Sequence, residues 1–592
     1  MSSRIVRLLL LLSMAAAAVA VTAACDDDSP SSSPTTSTTG SVTAPTATST
    51  SSGPIELPAP QSPSGTLTWA WANVPAGPGI NQSQAPEIMM AWGVSELFFR
   101  QSESNPIEPW LATDWELASD LSKVTVNFRS GVQFHDNWGE LTAEDIAWNL
   151  NNTNAATNPQ SIHGQAGDYA PLFGPAVAID ASTIEIPLKQ YDVRFASYFT
   201  NQAGDGFGIF SKKAFDENGA DWMATNVIAT GPFQVKEWVR ADHVLLEGVD
   251  QHWDKAPSVD SIRIIHAAES QSRVAMLLTG QADMAPLNIQ DLVEMSRKGF
   301  TVAGTGRAWH VSIPMAGNYW ETTRATDGAP IDTAGLFNNN LPWQGNPTNA
   351  EDLEQAKLVR NALARAIDRE SIARDFFAGV ATPNYVGGFF ASDPNWDEKW
   401  EYPYDLAGAA AMLDEAGFPV GGSGTRFSMP ILGQTDNQLF YDVAELVAGE
   451  WSKLGVDVQV LHYAYSVFRP TAVQRSNTTP IVMTCRENNG GAPWDWPRLS
   501  EYTSLTRGGF GCSMEIPDFL DYYSQVSVET DTARRVQLNN ELAQYAWEQA
   551  LEISVVSVPD SVAYNSKAIA SWDMRPGIFM VVNSPENIEL AR

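Results

Sequence analysis

The segment between residues 109 and 146 restricts the fold more than any other stretch, because it combines a strand, a turn and a helix start. Apolar and polar side chains alternate across residues 124–129, V-T-V-N-F-R, with the period of a half-buried strand. Gly131 then predicts a turn, and Thr142 followed three positions later by Asp145 predicts the start of a helix. These residue types build a scaffold, so we expect the segment to pack the fold and to contact no ligand.

The N-terminus has the composition of an export signal. Two arginines precede an apolar run at residues 8–21, which is too short and too rich in small residues to span a membrane as a helix. Residues 1–24 are therefore predicted to be a signal peptide. The small residues before Cys25 resemble a bacterial lipoprotein processing site, at which this cysteine is lipidated, although Thr22 replaces the usual leucine. Ordinary cleavage that leaves a free Cys25 is the alternative.

Residues 25–65 are predicted to form a lipidated anchor followed by a solvated tether. The stretch is almost wholly Asp, Ser, Thr, Pro, Gly and Ala, and such a sequence buries too little apolar surface to offset its conformational entropy. No later segment is apolar for long enough to cross a bilayer. We therefore expect an extracytoplasmic protein that is held at the bacterial cell membrane only by its lipid, in the periplasm or on the outer face of the cytoplasmic membrane.

The length and composition of the remaining chain indicate a large globular protein. Roughly 530 residues follow the tether, more than one hydrophobic core organises, so two or three domains are expected. Hydrophobic residues make up 44% of the chain and charged residues 18%, as in ordinary globular proteins. The formal net charge of −33 opposes binding to nucleic acid or to anionic lipid, but it does not by itself predict a cationic ligand.

The sequence lacks the compact motifs of common enzymes. Its seven histidines include no H-E-x-x-H or other close metal-ligand spacing, and neither a G-x-S-x-G elbow nor a G-K-[ST] phosphate loop occurs. Glu144 and Asp145 are adjacent on a predicted helix, so they cannot face each other across a substrate. We predict no catalytic residue, no metal ligand and no cofactor. A secreted glycoside hydrolase with two carboxylates distant in sequence is the remote alternative.

Motifs follow one another in a fixed order along the chain. P-W-L-A-T-D-W at residues 109–115 is the first, and others lie at 229–238, 251–262, 273–284, 359–372, 404–418 and 444–458. Their order and spacing resemble those of the family 5 (peptide/nickel type) extracytoplasmic solute-binding proteins of ABC transporters. For example, V-R-N-A-L-A-R-A-I-D-R-E-S-I at 359–372 is similar to the family's V-R-x-A-L-x-x-A-I-D-R-x-x-I.

This resemblance implies an α/β fold, the two-lobed Venus flytrap of periplasmic binding proteins in its class II, three-domain variant. Domain I is expected at 66–102, 228–308 and 555–592, domain II at 103–227, and domain III at 309–554. Strands near 305–315 and 552–560 would cross between the lobes as the hinge. The implied function is that of a monomer that closes on a small-molecule ligand and delivers it to ABC permease subunits.

The resemblance also points to a ligand-binding loop after a strand at 481–483. In peptide-binding members an aspartate on this loop pairs with the α-ammonium group of the ligand, and Trp494, Asp495 and Trp496 occupy the matching place. A sugar is the alternative ligand, because indoles stack on pyranose faces and Asp495 could accept hydroxyl hydrogen bonds. A structural loop with both indoles packed inward is the third interpretation. Cys485 and Cys512 are either a disulfide at the base of this loop, as an exported protein permits, or two buried free thiols.

Two further groups are candidates by position alone. Trp309 and His310 follow a hinge-side strand where family members place an aromatic residue against the ligand, and Asn81, Gln82 and Ser83 stand where domain I supplies polar contacts. His310 alone is more typical of a hydrogen-bonded structural histidine than of a metal ligand. An oligopeptide is the first predicted ligand and a cello-oligosaccharide-like sugar the second; nickel, haem and opine-like ligands rank after them.

Two expectations concern the scaffold. Apolar side chains at roughly helical spacing predict an amphipathic helix over residues 89–99. The Pro- and Asn-rich stretch 322–349 predicts an insertion or a long surface loop within domain III, to which the sequence assigns no role.

Overall fold

The computed structural model describes most of the chain beyond the tether. The described residues are 64–72, 74, 77, 85–100, 107–163, 166–199, 207–316, 341–345, 349–391, 393–473, 477–483, 517–575 and 583–591. All of them belong to one unit, Thr48–Arg592. The predicted signal peptide, Cys25, the tether and most of the 322–349 stretch lie outside the described residues.

Eighteen strands are found in the described part of the chain. They are β1 (Thr66–Trp71), β2 (Phe99–Arg100), β3 (Glu108–Pro109), β4 (Ala112–Leu117), β5 (Lys123–Phe128), β6 (Val177–Ala178), β7 (Thr183–Pro187), β8 (Phe233–Val239), β9 (His243–Gly248), β10 (Ser261–His266), β11 (Met284–Pro286), β12 (Thr301–Pro314), β13 (Thr382–Pro383), β14 (Phe427–Gln434), β15 (Val456–Tyr463), β16 (Glu552–Tyr564), β17 (Ile569–Trp572) and β18 (Ile588–Leu590).

The same residues contain fourteen α-helices. They are α1 (Ala85–Ala91), α2 (Ala143–Thr153), α3 (Ala166–Leu172), α4 (Lys212–Asn218), α5 (Ala220–Met223), α6 (Ser270–Thr279), α7 (Ile289–Arg297), α8 (Ala350–Arg365), α9 (Arg369–Ser371), α10 (Leu406–Glu415), α11 (Gln438–Ser452), α12 (Tyr465–Val473), α13 (Pro517–Val528) and α14 (Thr532–Gln549). None of the helices in the described part of the chain combines the length and apolarity needed to cross a membrane.

The largest sheet collects strands from widely separated parts of the sequence. Its order is β12-β16-β11-β1-β10-β9-β8, with β13 added on β16. Strand β1 runs parallel to β10 and β11, whereas β8, β9 and β10 form an antiparallel meander. The turn between β8 and β9 is short, and the parallel pairs require the long excursions of chain that lie between their strands.

A second, four-stranded antiparallel sheet has the order β4-β5-β7-β6 and includes the strands of the segment 109–146. Along β5, buried and half-buried residues alternate, which confirms the predicted strand. Helix α2 starts at the predicted place, because the Thr142 hydroxyl accepts a hydrogen bond from the Asp145 N–H while the Asp145 carboxylate accepts one from the Thr142 N–H. This reciprocal cap satisfies N–H groups that the first helical turn leaves unpaired.

A third sheet is built on the parallel pair β14 and β15. Ile481 forms a parallel bridge to Leu432 of β14, and Met483 forms an antiparallel bridge to Ser312 of β12. The segment 481–483, predicted to be strand-like, therefore joins this pair to the end of the longest strand of the molecule.

The predicted helix over residues 89–99 is wrong. Helix α1 ends at Ala91, and Gly93 adopts a φ of +71°, a left-handed conformation that stops the helix. Trp92, Val94 and the residues up to Phe99 are almost fully buried. The apolar spacing that suggested an amphipathic helix arises from an irregular segment that is enclosed on all sides.

Candidate functional site

Two long strands pass from one hydrophobic core to another. The first core, which contains Val562 and Tyr564 of β16, also includes residues of β1, of the meander and of the four-stranded sheet. The second core contains Val311 of β12, Val558 of β16 and residues of α8, α11, α14, β14 and β15. Strands β12 and β16 thus contribute to both cores at their opposite ends.

The pairing of these two strands is irregular between the cores. Gly304 pairs with Ser561 and Ala308 with Pro559, so β12 has extra residues relative to β16 at this point. A second register shift follows between Val311 and Ser312. Irregularities of this kind bend a strand and interrupt its ladder of hydrogen bonds. The crossing is therefore the part of the two strands least held by sheet pairing.

His310 lies beside this crossing and is fully buried. Its Nδ1 accepts a hydrogen bond from the Gly388 N–H at 3.0 Å. The ring lies 4.0 Å from that of Phe390, and the Asn384 amide nitrogen is 3.3 Å from Nε2. The imidazole fastens residues 384–390 to β12.

Arg369 holds the same segment from the other side. It is 3% exposed, and its Nε donates to the Asn384 carbonyl at 3.0 Å and to the Ser554 carbonyl of β16 at 2.9 Å. Its Nη1 donates to the Ala364 carbonyl near the end of α8. This arginine belongs to the A-I-D-R motif, and its contacts explain the motif as a tie between α8 and the crossing strands.

An open depression of about 390 Å³ lies next to this tie. It is lined by Ile367, Asp368, Arg369, Glu370, Tyr385, Glu401, Tyr402, Pro403 and Tyr404. Arg365 lies 4.6 Å and Arg369 5.0 Å from the ring centre of Tyr402. The protein's own guanidinium groups therefore already occupy positions over this ring.

The parallel strands in the second core end at one edge, which is a candidate ligand edge. Strand β14 ends at Gln434 and β15 at Tyr463, and the parallel bridge of Ile481 to Leu432 gives segment 481–483 the same direction. The Asp436 carboxylate accepts a hydrogen bond from the Tyr465 N–H, which joins the two following loops. In open α/β sheets, ligands bind outside the carboxyl ends of the strands.

This edge was missed in the sequence analysis, although a signal exists in Q-T-D-N at 434–437 directly after an apolar strand. Segment 481–483 ends at the same edge. The predicted site residues Trp494, Asp495, Trp496, Cys485 and Cys512 lie outside the described residues, as do Asn81, Gln82 and Ser83. The backbone of Trp309 pairs with Val558.

A buried polar cluster in the first core was also missed. Glu96 is fully buried, and its carboxylate accepts a hydrogen bond from Trp253 Nε1 at 3.0 Å and lies 3.4 Å from His252 Nε2. His252 Nδ1 accepts from the N–H groups of Asp254 and Lys255. Burial lowers the pKa of His252, but the carboxylates of Glu96, Glu586 and Asp254 together outweigh burial, and the pKa is raised. The cluster is far from the second-core edge in sequence and ties scaffold segments together.

Metal binding has no support among the described residues, where no three His, Cys, Asp or Glu side chains are grouped as ligands.

Comparison with known proteins links this fold to one family. Residues 106–509 match the family described as bacterial extracellular solute-binding proteins, family 5 Middle. The dipeptide-binding protein of Escherichia coli K12 is 23% identical over 464 residues, which cover 75% of this chain and 79% of that protein.

Two solved structures share the architecture. The periplasmic binding protein DppA from Helicobacter pylori, in complex with the peptide STSA, matches with a TM-score of 0.67 at 18% identity over 89% of this chain and 98% of that one. NikA from Brucella suis, in complex with Fe(III)-EDTA, matches with a TM-score of 0.71 at 18% identity over 89% of this chain and 100% of that one. At such identity the likeness shows the fold, which is the two-lobed α/β fold of periplasmic binding proteins. With the family match over most of its length, the chain belongs to the family 5 extracellular solute-binding proteins of ABC transporters.

Proposed function

We propose that this protein captures oligopeptides between its two lobes and delivers them to the permease of an ABC importer. The observation that carries the proposal is the passage of β12 and β16 from one core to the other, with irregular pairing between them. Two cores joined in this way can rotate about the crossing and enclose a ligand. The E. coli relative is named for dipeptides and the H. pylori structure holds a peptide, which supports a peptide here.

We further propose the domain assignment given by the family pattern. Domain I would comprise 66–102, 228–308 and 555–592, domain II 103–227, and domain III 309–554. The composition of the largest sheet supports it, because that sheet combines β1, the β8–β11 strands and the end of β16. The hinge would be the stretch of β12 and β16 near 305–315 and 552–560.

The proposed ligand contacts centre on Asp495. A carboxylate enclosed with the ligand would bind the α-ammonium group of a peptide and reject neutral groups, with Trp494 and Trp496 covering the neighbouring side chains. The position of Met483 supports this assignment, since the described segment 481–483, which precedes Asp495 in sequence, ends at the carboxyl edge of the parallel strands. A disulfide between Cys485 and Cys512 would fix the base of the loop.

Trp309, Asn81, Gln82 and Ser83 complete the proposed contacts. His310 contributes differently, because its imidazole is fully buried and bonded to Gly388. A direct ligand contact at His310 remains a prediction and requires residues 388–390 to move away from the ring.

The proposed location is the outer side of the cytoplasmic membrane, with Cys25 lipidated and residues 26–65 as a tether. Family 5 solute-binding proteins work outside the cytoplasm, and the N-terminal sequence supplies the signal and the cysteine that such an anchor needs. Metabolic labelling with a radioactive fatty acid tests the anchor, since Cys25→Ala must abolish the label.

A thermal-shift screen tests the ligand. Protein made without residues 1–25 is unfolded and refolded to remove any co-purified ligand, and is then heated with free peptides, N-acetylated peptides and β-linked oligosaccharides. A ligand at a hundred times its Kd adds about 2.7 kcal/mol of stability, which gives a clear rise in Tm. A rise with free peptides that N-acetylation removes is expected. A rise with oligosaccharides alone would contradict the proposal and favour sugar stacking on Trp494 and Trp496.

The Asp495→Ala variant separates the role of this carboxylate from general stability. It is expected to weaken free-peptide binding by roughly 2–5 kcal/mol, because the buried ammonium loses its partner, and to leave the Tm without ligand nearly unchanged. Asp521→Asn is the matched control, since it removes one exposed carboxylate from α13 of the same lobe. Equal weakening by both variants, or turnover of the peptide by the purified protein, would refute the assignment.

A further inference from the structure

The two cores also touch outside the crossing strands. Helix α13, whose residues Phe519 and Tyr523 belong to the second core, packs against the 3₁₀ turn Val193–Phe199, whose residue Phe199 belongs to the first core. The Tyr523 hydroxyl donates a hydrogen bond to the Asp192 carboxylate at 3.1 Å.

Both partners are removed from water. Asp192 is 3% exposed and Tyr523 is 2% exposed, although 331 positions separate them in the sequence. Burial raises the pKa of the adjacent Tyr191, and the Arg535 guanidinium of α14 opposes that rise, so the residue next to Asp192 also interacts with a charge on an element of the second core. The contact is thus an enclosed polar interface between the cores.

We infer that Asp192 and Tyr523 form a latch that holds the two lobes closed. The inference rests on the proposed binding function, because closure matters only if a ligand is enclosed. The backbone of Asp192 is also held in place, since the Phe195 N–H donates a hydrogen bond to the Asp192 carbonyl at 2.8 Å at the start of the turn. The bond joins residues of the two lobes and can exist only while the lobes are together, so it stabilises the closed state specifically.

The latch sets the closed fraction and, through it, the strength and duration of ligand binding. A hydrogen bond from a hydroxyl to a carboxylate corresponds to roughly a ten- to hundredfold change in an equilibrium constant. The apparent Kd is the intrinsic Kd divided by the fraction of competent protein. Asp192 and Tyr523 are therefore positioning residues, which change affinity without contact with the ligand.

Small-angle X-ray scattering on the refolded, ligand-free protein tests the latch. Tyr523→Phe removes only the hydroxyl, and it is expected to shift the closed-to-open ratio roughly ten- to hundredfold, with a larger radius of gyration. Asp192→Asn keeps an acceptor oxygen but loses the charge, so a smaller expansion is expected. Tyr522→Phe is the matched control: its ring packs on Tyr545 of α14 at 5.4 Å, inside the second lobe.

Hydrogen exchange measured by mass spectrometry provides a second readout. Tyr523→Phe should accelerate exchange in the turn 193–199 and in α13, and Tyr522→Phe should not. Scattering and exchange that are the same for Tyr523→Phe and Tyr522→Phe would overturn the latch. Neither readout needs a ligand, so a protein that binds no peptide and still shows the contrast would contradict the proposed function and support the latch.

Discussion

At the scale of single residues, His135 illustrates how burial converts a common side chain into a pH-dependent stability determinant. Its Nε2 lies 2.8 Å from the Gly231 carbonyl, and Nδ1 has no hydrogen-bond partner in the described part of the chain. Burial lowers the pKa of His135 from 6.5 to about 4, and the neighbouring His252 adds to this effect. The folded protein therefore binds this proton less readily than the unfolded chain does.

The consequence is a loss of stability in acid. Above pH 6.5 the imidazole is neutral in both the folded and the unfolded protein and does not change the free energy of unfolding. As the pH falls toward 4, the unfolded chain becomes protonated first, which favours the unfolded state by up to roughly 3 kcal/mol. Urea unfolding at pH 7.5 and pH 4.5 measures the change. His135→Gln should reduce this pH dependence by that amount. Equal slopes for His135→Gln and the unaltered protein would disprove the assignment.

Which residues could be predicted depends on how local their interactions are. The alternation along β5 and the Thr142–Asp145 cap follow from neighbours in sequence and were predicted. The Lys212 N–H, which also donates to Asp145, comes from a helix 67 positions later and leaves no trace in the local pattern. The Glu96–His252 cluster and the Asp192–Tyr523 pair were not predicted for the same reason, since their partners are also far apart in the sequence.

At the scale of elements, the turn before β8 approaches the end of α1 too closely for any side chain. A Cβ built on Gly231 would lie 2.3 Å from the Gly93 carbonyl oxygen and 2.6 Å from that of Val94. The Gly231 N–H itself donates to the Val94 carbonyl at 3.0 Å, so backbone hydrogen bonding enforces the approach. The glycine of the A-T-G-P-F motif is thereby explained by its packing.

Gly231→Ala is therefore expected to destabilise the protein by roughly 1–3 kcal/mol or more, because backbone atoms cannot move aside as a side chain does. Gly449→Ala is the control, since this exposed glycine of α11 has no atom within 4 Å of its Cβ position. There, alanine should stabilise the helix by up to about 1 kcal/mol. Urea unfolding of both variants measures the contrast, and a neutral Gly231→Ala would contradict the close approach.

Element prediction failed where burial is complete. A half-buried strand alternates and an exposed helix has one apolar face, but the segment from Trp92 to Phe99 is enclosed on all sides and its pattern indicates no particular structure. Gly93 was the signal that the helix ends. The ligand edge could be inferred only after the parallel pairing of β14, β15 and segment 481–483 was known, since single strands do not reveal their direction.

At the scale of the whole molecule, the two cores are joined by β12 and β16 and meet again at the Asp192–Tyr523 pair. Each core buries its own large set of apolar side chains. Cooperative units of a protein open separately when few contacts couple them. We therefore expect the lobes to respond independently to a defect in one core, which is also what a rigid-body closure requires.

Matched truncations test this independence. Leu246 of β9 and Leu542 of α14 are fully buried in the first and second core, and Leu→Ala at such sites costs roughly 2–5 kcal/mol. Leu246→Ala should accelerate hydrogen exchange in β8, β9 and β10 while α11 is unaffected, and Leu542→Ala should do the reverse. Strands β12 and β16 should respond to both variants, because their ends lie in different cores. Uniform acceleration along the whole chain by either variant would mean that the protein unfolds as one unit, and closure would then have to deform the cores instead of rotating them.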